Sequence, residues 1–151
     1  MNDLLKKEYI IVEVIPTAVK NGDIAQLSAL RLRGLELIDR FDYRNNDIDN
    51  PFVLDLIKYD KDSFIYKDST DEIVKDFKKF IGKKTILYLD NIYTLNYLEK
   101  FNNKKVPILK YLDLSYSDEV IDEIKKKYNI LDSNYIVDIL YEALIYESNK
   151  K

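Results

Sequence analysis

The chain has 151 residues, with 24 basic against 27 acidic side chains and a formal net charge of −3. A content of 46% hydrophobic and 34% charged residues of mixed sign excludes intrinsic disorder and collagen-like structure, and the length suits one domain that buries a core unaided. With no Cys and no His, disulfides, thiolate catalysis, Cys-based metal sites and imidazole chemistry are excluded, so any catalysis falls to Asp, Glu, Lys, Tyr, Ser or Thr.

Met1–Glu8 lacks the apolar stretch of a signal peptide, and the longest apolar run, near Tyr9–Val12, is far short of the ~20 residues of a membrane helix. The expectation is a soluble cytoplasmic protein without a membrane partner. Tyr9–Ile15 is apolar and β-branched and ends at Pro16, as a strand buried on both faces does. Ile24–Arg33 and Leu35–Phe41 alternate in part around Arg33-Gly34, which predicts a hairpin and a three-stranded start. Asn45–Lys67 is irregular, with Asn-Asp pairs and Pro51. Ser69-Thr70-Asp71-Glu72 then has the spacing of a capping box. Ile73, Val74, Phe77, Phe80 and Ile81 fall on one helical face, and Gly82 is the stop.

Thr85–Leu89 reads as a further strand, and Ile92–Phe101 as a helix with Leu95, Leu98 and Phe101 on one stripe. Val106–Leu114 fits either a strand or a helix. Ser117 is placed to cap a helix over Asp118–Tyr128, with Val120, Ile121, Ile124 and Tyr128 inward. A last helix, about Asn134–Ser148, puts Ile136, Leu140, Ala143 and Leu144 on one face. The order β-β-β-α-β-α-(β)-α-α is that of an α/β domain.

Ile24-Ala25-Gln26-Leu27-Ser28-Ala29-Leu30-Arg31-Leu32, followed by Leu37-Ile38-Asp39-Arg40-Phe41, resembles the second and third strands of the DnaQ-like exonuclease superfamily. Members tend to show "I-x-(Q/E)-I-(G/S)-A-(V/L)-(K/R)" and then "I-I-D-x-F". The resemblance extends over about Tyr9–Ser148. It implies a ribonuclease H-like fold, a mixed sheet of about five strands flanked by helices, in one domain over residues 1–151.

The resemblance also implies a chemistry in which four carboxylates hold two Mg²⁺ or Mn²⁺ ions for phosphodiester cleavage. An Asp-x-Glu on strand one supplies two of them, because residues two apart point to the same face. The matching positions hold Glu13 and Ile15, and Thr17 keeps the trailing hydroxyl. The second motif, roughly "H-N-x-x-F-D-x-x-F-L", matches Leu89–Leu98 in its apolar pattern, with Thr94 at the carboxylate position and Asp90 as a displaced acid. The last helix keeps Asp138, while the base position falls on Ser133 or Asn134, with Tyr135 one residue out of register. Glu13 and Asp138 thus remain to hold at most one weakly bound Mg²⁺ or Mn²⁺.

The implied function is that of a pseudoenzyme, an exonuclease-like protein that acts as a binding or regulatory module. Its partner is nucleic acid or a protein of nucleic-acid metabolism. The alternatives are a residual 3′-5′ exonuclease using Glu13 and Asp138, and an unrelated protein-interaction domain. Lys125-Lys126-Lys127 reads as cations at a helix C-terminus, and Lys83-Lys84 and Lys104-Lys105 as solvated loop charge.

Overall fold

The computed structural model describes Leu4 and residues 6–16, 24–44, 70–90, 92–131 and 136–149. Strands β1 (Glu8–Pro16), β2 (Ile24–Arg33) and β3 (Glu36–Arg44) follow from the β-branched, alternating sequence of the first third of the chain. Both neighbouring pairs are antiparallel, with Glu13 opposite Ser28 and Ser28 opposite Asp42. The β2–β3 turn needs Gly34, whose φ of 61° is left-handed. The hydroxyls of Tyr9 and Tyr141 donate to the Gly34 and Leu35 carbonyls at 2.6 Å each and hold that turn from inside.

Helix α1 (Thr70–Ile81) buries Ile73, Phe77, Phe80 and Ile81, a stripe at helical spacing. It ends at Gly82, with φ at 51°, as expected for a glycine just past a helix terminus. Strand β4 (Thr85–Tyr88) runs parallel to β1, and after helix α2 (Ile92–Leu98) strand β5 (Lys105–Pro107) runs parallel to β4. One turn of helix, α3 (Leu109–Leu112), leads to α4 (Val120–Tyr128) and α5 (Ile136–Ser148). The sheet order is β3-β2-β1-β4-β5. The fold is therefore α/β, with a mixed five-stranded sheet flanked by helices.

Strand parity divides the core into two layers. Ile10, Val12, Leu27, Ala29 and Ile86 pack against α1 and α2. Tyr9, Ile11, Leu30, Leu32 and Leu87 pack against α3, α4 and α5. With β1 covered on both sides, every residue from Tyr9 to Val14 is buried, including Glu13.

Several sequence expectations are corrected in their limits. Strand β3 extends to Arg44 rather than ending at Phe41. Helix α2 stops at Leu98, where the Phe101 amide donates to the Leu98 carbonyl and closes a turn, yet Phe101 still reaches the core at 5% exposure. Val106–Leu114 is neither all strand nor all helix. Its start joins β4, and Ile108 N–H donates to the Tyr88 carbonyl before the chain coils into α3. Ser117 does not cap α4. Its Oγ accepts from the Glu119 amide in a turn before the helix, and Glu119 is the N-cap without a side-chain bond. The 45–67 stretch, and Ser69 of the capping box, lie outside the described residues. Among the described residues, no helix is long and apolar enough to cross a membrane.

Candidate functional site

The face of the sheet beneath α5 carries a polar row that begins at Glu13. Across β1, β2 and β3 the register sets Glu13, Ser28 and Asp42 side by side. The preceding row on that face is Ile11, Leu30 and Arg40. Glu13 is 6% exposed and the Asp42 side chain 8%, so both carboxyls have left bulk water.

Arg40 joins this row to the helix above it. Its Nη2 donates to Asp138 Oδ2 at 2.8 Å, and its Nε lies 3.1 Å from Asp42 Oδ2. One guanidinium thus stands between Asp42 on its own strand and Asp138, which lies 98 residues beyond Arg40 in the chain. The planar fork of arginine suits this bridging better than an ammonium would. Asp138 also sits in the first turn of α5, where negative charge meets the positive end of the helix dipole.

Burial pushes the Asp42 carboxyl above its ordinary range, against the pull of the Arg40 charge, and the Asp138 charge pushes it further. Ser28 interacts with the same carboxyl and pulls its pKa down. Gln26 Nε2 in turn donates to Ser28 Oγ at 3.4 Å. Asp42 Oδ1 is buried with no hydrogen-bond partner in the structure, and so is Gln26 Oε1.

A two-ion centre does not fit these residues. One oxygen each of Asp42 and Asp138 already faces the Arg40 cation, and divalent ions require several such oxygens free to converge. With one oxygen of Asp42 and one of Asp138 held by Arg40, the carboxyls of Glu13, Asp42 and Asp138 are left too few oxygens for the shells of two hard cations. No group of three or more Asp or Glu placed to hold a metal occurs among the described residues.

Thr94 does different work. It is fully buried in α2, and its Oγ1 accepts the Val14 amide at 3.2 Å. The β1–β4 register ends at Val12 opposite Tyr88, so this amide lies beyond the parallel strand's reach and needs another acceptor. Thr94→Val is expected to cost about 1–3 kcal/mol, because a buried donor loses its acceptor while shape is kept. Thr94→Ser should recover most of it. Urea denaturation and the exchange rate of the Val14 amide check both, and unchanged exchange in the valine variant would refute the role.

Asp90 follows β4 and is raised in pKa by burial, and its charge adds to the rise at the Tyr88 hydroxyl. Nothing in the geometry brings it to Asp138. Thr17, Ser133, Asn134 and Tyr135 lie outside the described residues, as does the side chain of Ile15, whose backbone pairs with Gln26. The lysine run of α4 is structural in part. Lys127 Nζ donates to the Leu112 carbonyl at 2.6 Å, and Lys125 lies 3.9 Å from Asp122.

Arg40 and Asp42 are the members of the site that motif matching passes over, and Ser28 is matched only as the small residue of a strand. Arg40 falls on the unspecified position of the "I-I-D-x-F" stretch, and Asp42 lies just beyond it. The available signal is parity: Arg40 and Asp42 are two apart on a strand, hence on one face. No protein-family model matches the chain, and no curated protein matches it.

Proposed function

We propose that the chain is a catalytically degenerate DnaQ-like protein on a ribonuclease H-like fold, a binding or regulatory module for nucleic acid or for a protein that processes it. The reading is supported by a mixed sheet of five strands flanked by helices, the general form the resemblance implies, and by the Asp138 helix packed over the Glu13 strand. The observation that carries the loss of catalysis is the Arg40 guanidinium bound to Asp138. A fixed monovalent cation occupies the carboxylate that the resemblance assigns to a metal ion. It can attract a phosphate, but it cannot lower the pKa of a bound water as a divalent ion does. Thr94, at the position of another ligand, is committed to the backbone of β1. Arg40, Ser28 and Gln26 add no general base near neutrality to the carboxyls of the cluster.

The test is a single-turnover assay on 3′-labelled single strands with excess protein and Mg²⁺ or Mn²⁺, run beside anisotropy of the same strands. The expected result is no metal-dependent shortening. Cleavage abolished by Glu13→Gln and by Asp138→Asn would overturn this reading and establish a residual exonuclease.

A further inference from the structure

The opposite end of the sheet holds a second polar feature. A pocket of about 440 Å³ lies where α1 and α2 end and β4 and β5 begin, and Lys78, Lys83, Lys100 and Lys104 stand around it. Glu13 is four residues along β1 from Tyr9, which pairs with the first residue of β4. At about 3.3 Å per residue the two sites are well over 10 Å apart along the strands.

Lysines near helix ends commonly just neutralise terminal carbonyls. Here those carbonyls are met by other groups. Asn103 Nδ2 donates to the Gly82 and Lys84 carbonyls at 3.0 and 2.8 Å. Lys105 Nζ donates to the Phe101 and Asn103 carbonyls. The Lys78 and Ile81 carbonyls take backbone amides. No acidic residue is among those lining the pocket, and none of the ion pairs of the described residues involves the four lysines. In a chain with more acids than bases, Lys78, Lys83 and Lys104 bring like charge to one concavity, beside Lys100, whose Nζ lies 4.3 Å over the Tyr97 ring.

We propose that this pocket binds a compact ligand bearing two or more linked phosphate groups. Linked phosphates supply several negative charges within a volume typical of small-ligand sites, about 300–1,000 Å³. Lysine ammoniums serve phosphate as mobile point charges. Asn103 ties the loop before β4 to the loop before β5, so the frame is set before the ligand arrives. Gly82 lines the pocket because the chain turns there with φ at 51°, a conformation that favours glycine. Phe101 lines the pocket but is 5% exposed, and it offers no ring face for a base to stack on. Recognition is therefore of phosphate rather than of nucleobase. The inference goes beyond the proposed function and does not rest on it.

Calorimetric titration of the full chain with sodium tripolyphosphate tests it, with pyrophosphate, ATP and a single-stranded oligonucleotide as parallel probes. The expected result is saturable one-site binding of tripolyphosphate that weakens with added salt and falls about tenfold or more in Lys83→Gln/Lys104→Gln. ATP should bind no more tightly than tripolyphosphate. Lys110→Gln/Lys126→Gln, with the same change of net charge elsewhere, should bind as the parent does. Glutamine at exposed loop positions keeps the fold, which circular dichroism verifies. Equal loss in both double variants would reduce the effect to overall charge and overturn the site. Absence of saturation by tripolyphosphate would also overturn it. Tighter, Lys83- and Lys104-dependent binding of the oligonucleotide would replace a compact ligand by a nucleic-acid strand. The nuclease and anisotropy results have no bearing on these outcomes when Lys83 and Lys104 are the variables.

Discussion

Arg40→Ala is expected to lower stability by about 1–3 kcal/mol at neutral pH. Breaking a fully buried ion pair costs more, about 3–5 kcal/mol. The figure is reduced here because the Arg40 and Asp138 side chains are 36% and 27% exposed, and water screens what remains. Asp42, at 8% exposure, carries most of the penalty. Its raised pKa makes the loss depend on pH. In the parent, the native state holds the Asp42 proton more tightly than the unfolded chain does. Its contribution to stability is therefore full below the ordinary carboxylate range and is lost as pH rises through the raised value. Removing the guanidinium, which opposes that rise, should steepen the loss and extend it to higher pH. The deficit of Arg40→Ala relative to the parent should shrink on acidification. Asp42→Asn in the Arg40→Ala background should flatten the profile, since no proton remains to be exchanged there. Urea titrations at several pH values check this, and a deficit constant from acid to neutral pH would mean that Arg40 acts through packing alone. Added Mn²⁺ should stabilise Arg40→Ala more than the parent, because two carboxylates then face a space without a resident cation.

A larger loss, about 3–5 kcal/mol, is expected for Phe77→Ala. Phe77 is fully buried, and its ring centroid lies 5.5 Å from Phe41, 5.5 Å from Phe101 and 6.1 Å from Tyr97. The Phe41 and Phe101 contacts are edge-on, the arrangement that aromatic quadrupoles favour. The four rings come from β3, α1, α2 and the turn after α2. Truncation therefore opens a cavity at a junction that no single element can move to fill. Against a total stability of about 5–15 kcal/mol, the variant should unfold in far less urea with an unaltered m-value. Phe77→Leu should lose much less, as most of the volume stays. A loss below about 1 kcal/mol for alanine would show that the cluster relaxes around the gap.

The elements most legible in the sequence are those with one dominant period. Ile73, Phe77, Phe80 and Ile81 identify α1 without any knowledge of its neighbours, and the β-branched run of Tyr9–Ile15 identifies β1. The short pieces were not legible, because three residues of β5 and four of α3 are too few for a period to show. Their form depends on partners, the Tyr88 carbonyl in one case and the α4–α5 layer in the other. At the candidate site, Glu13 and Asp138 are visible as residues of a motif. The guanidinium between Asp138 and Asp42 is not, since it depends on the register of β2 with β3 and on where α5 comes to rest. The four lysines of the pocket are likewise scattered in sequence. Lys83 and Lys104 read as loop charge until Asn103 is seen to draw their two loops together.

The Tyr141 bond to the β2–β3 turn joins groups 106 residues apart. Its consequence lies in synthesis. During translation the meander leaves the ribosome with Tyr9, Ile11, Leu30 and Leu32 lacking their cover, because α5 is made long after β3. The Asp138 carboxylate reaches Arg40 only then as well. Through most of its elongation the nascent chain therefore presents a broad apolar face, and the final helix acts as its closing panel. Such late, non-local closure slows folding and leaves an interval in which chaperones or premature association compete for the bare sheet.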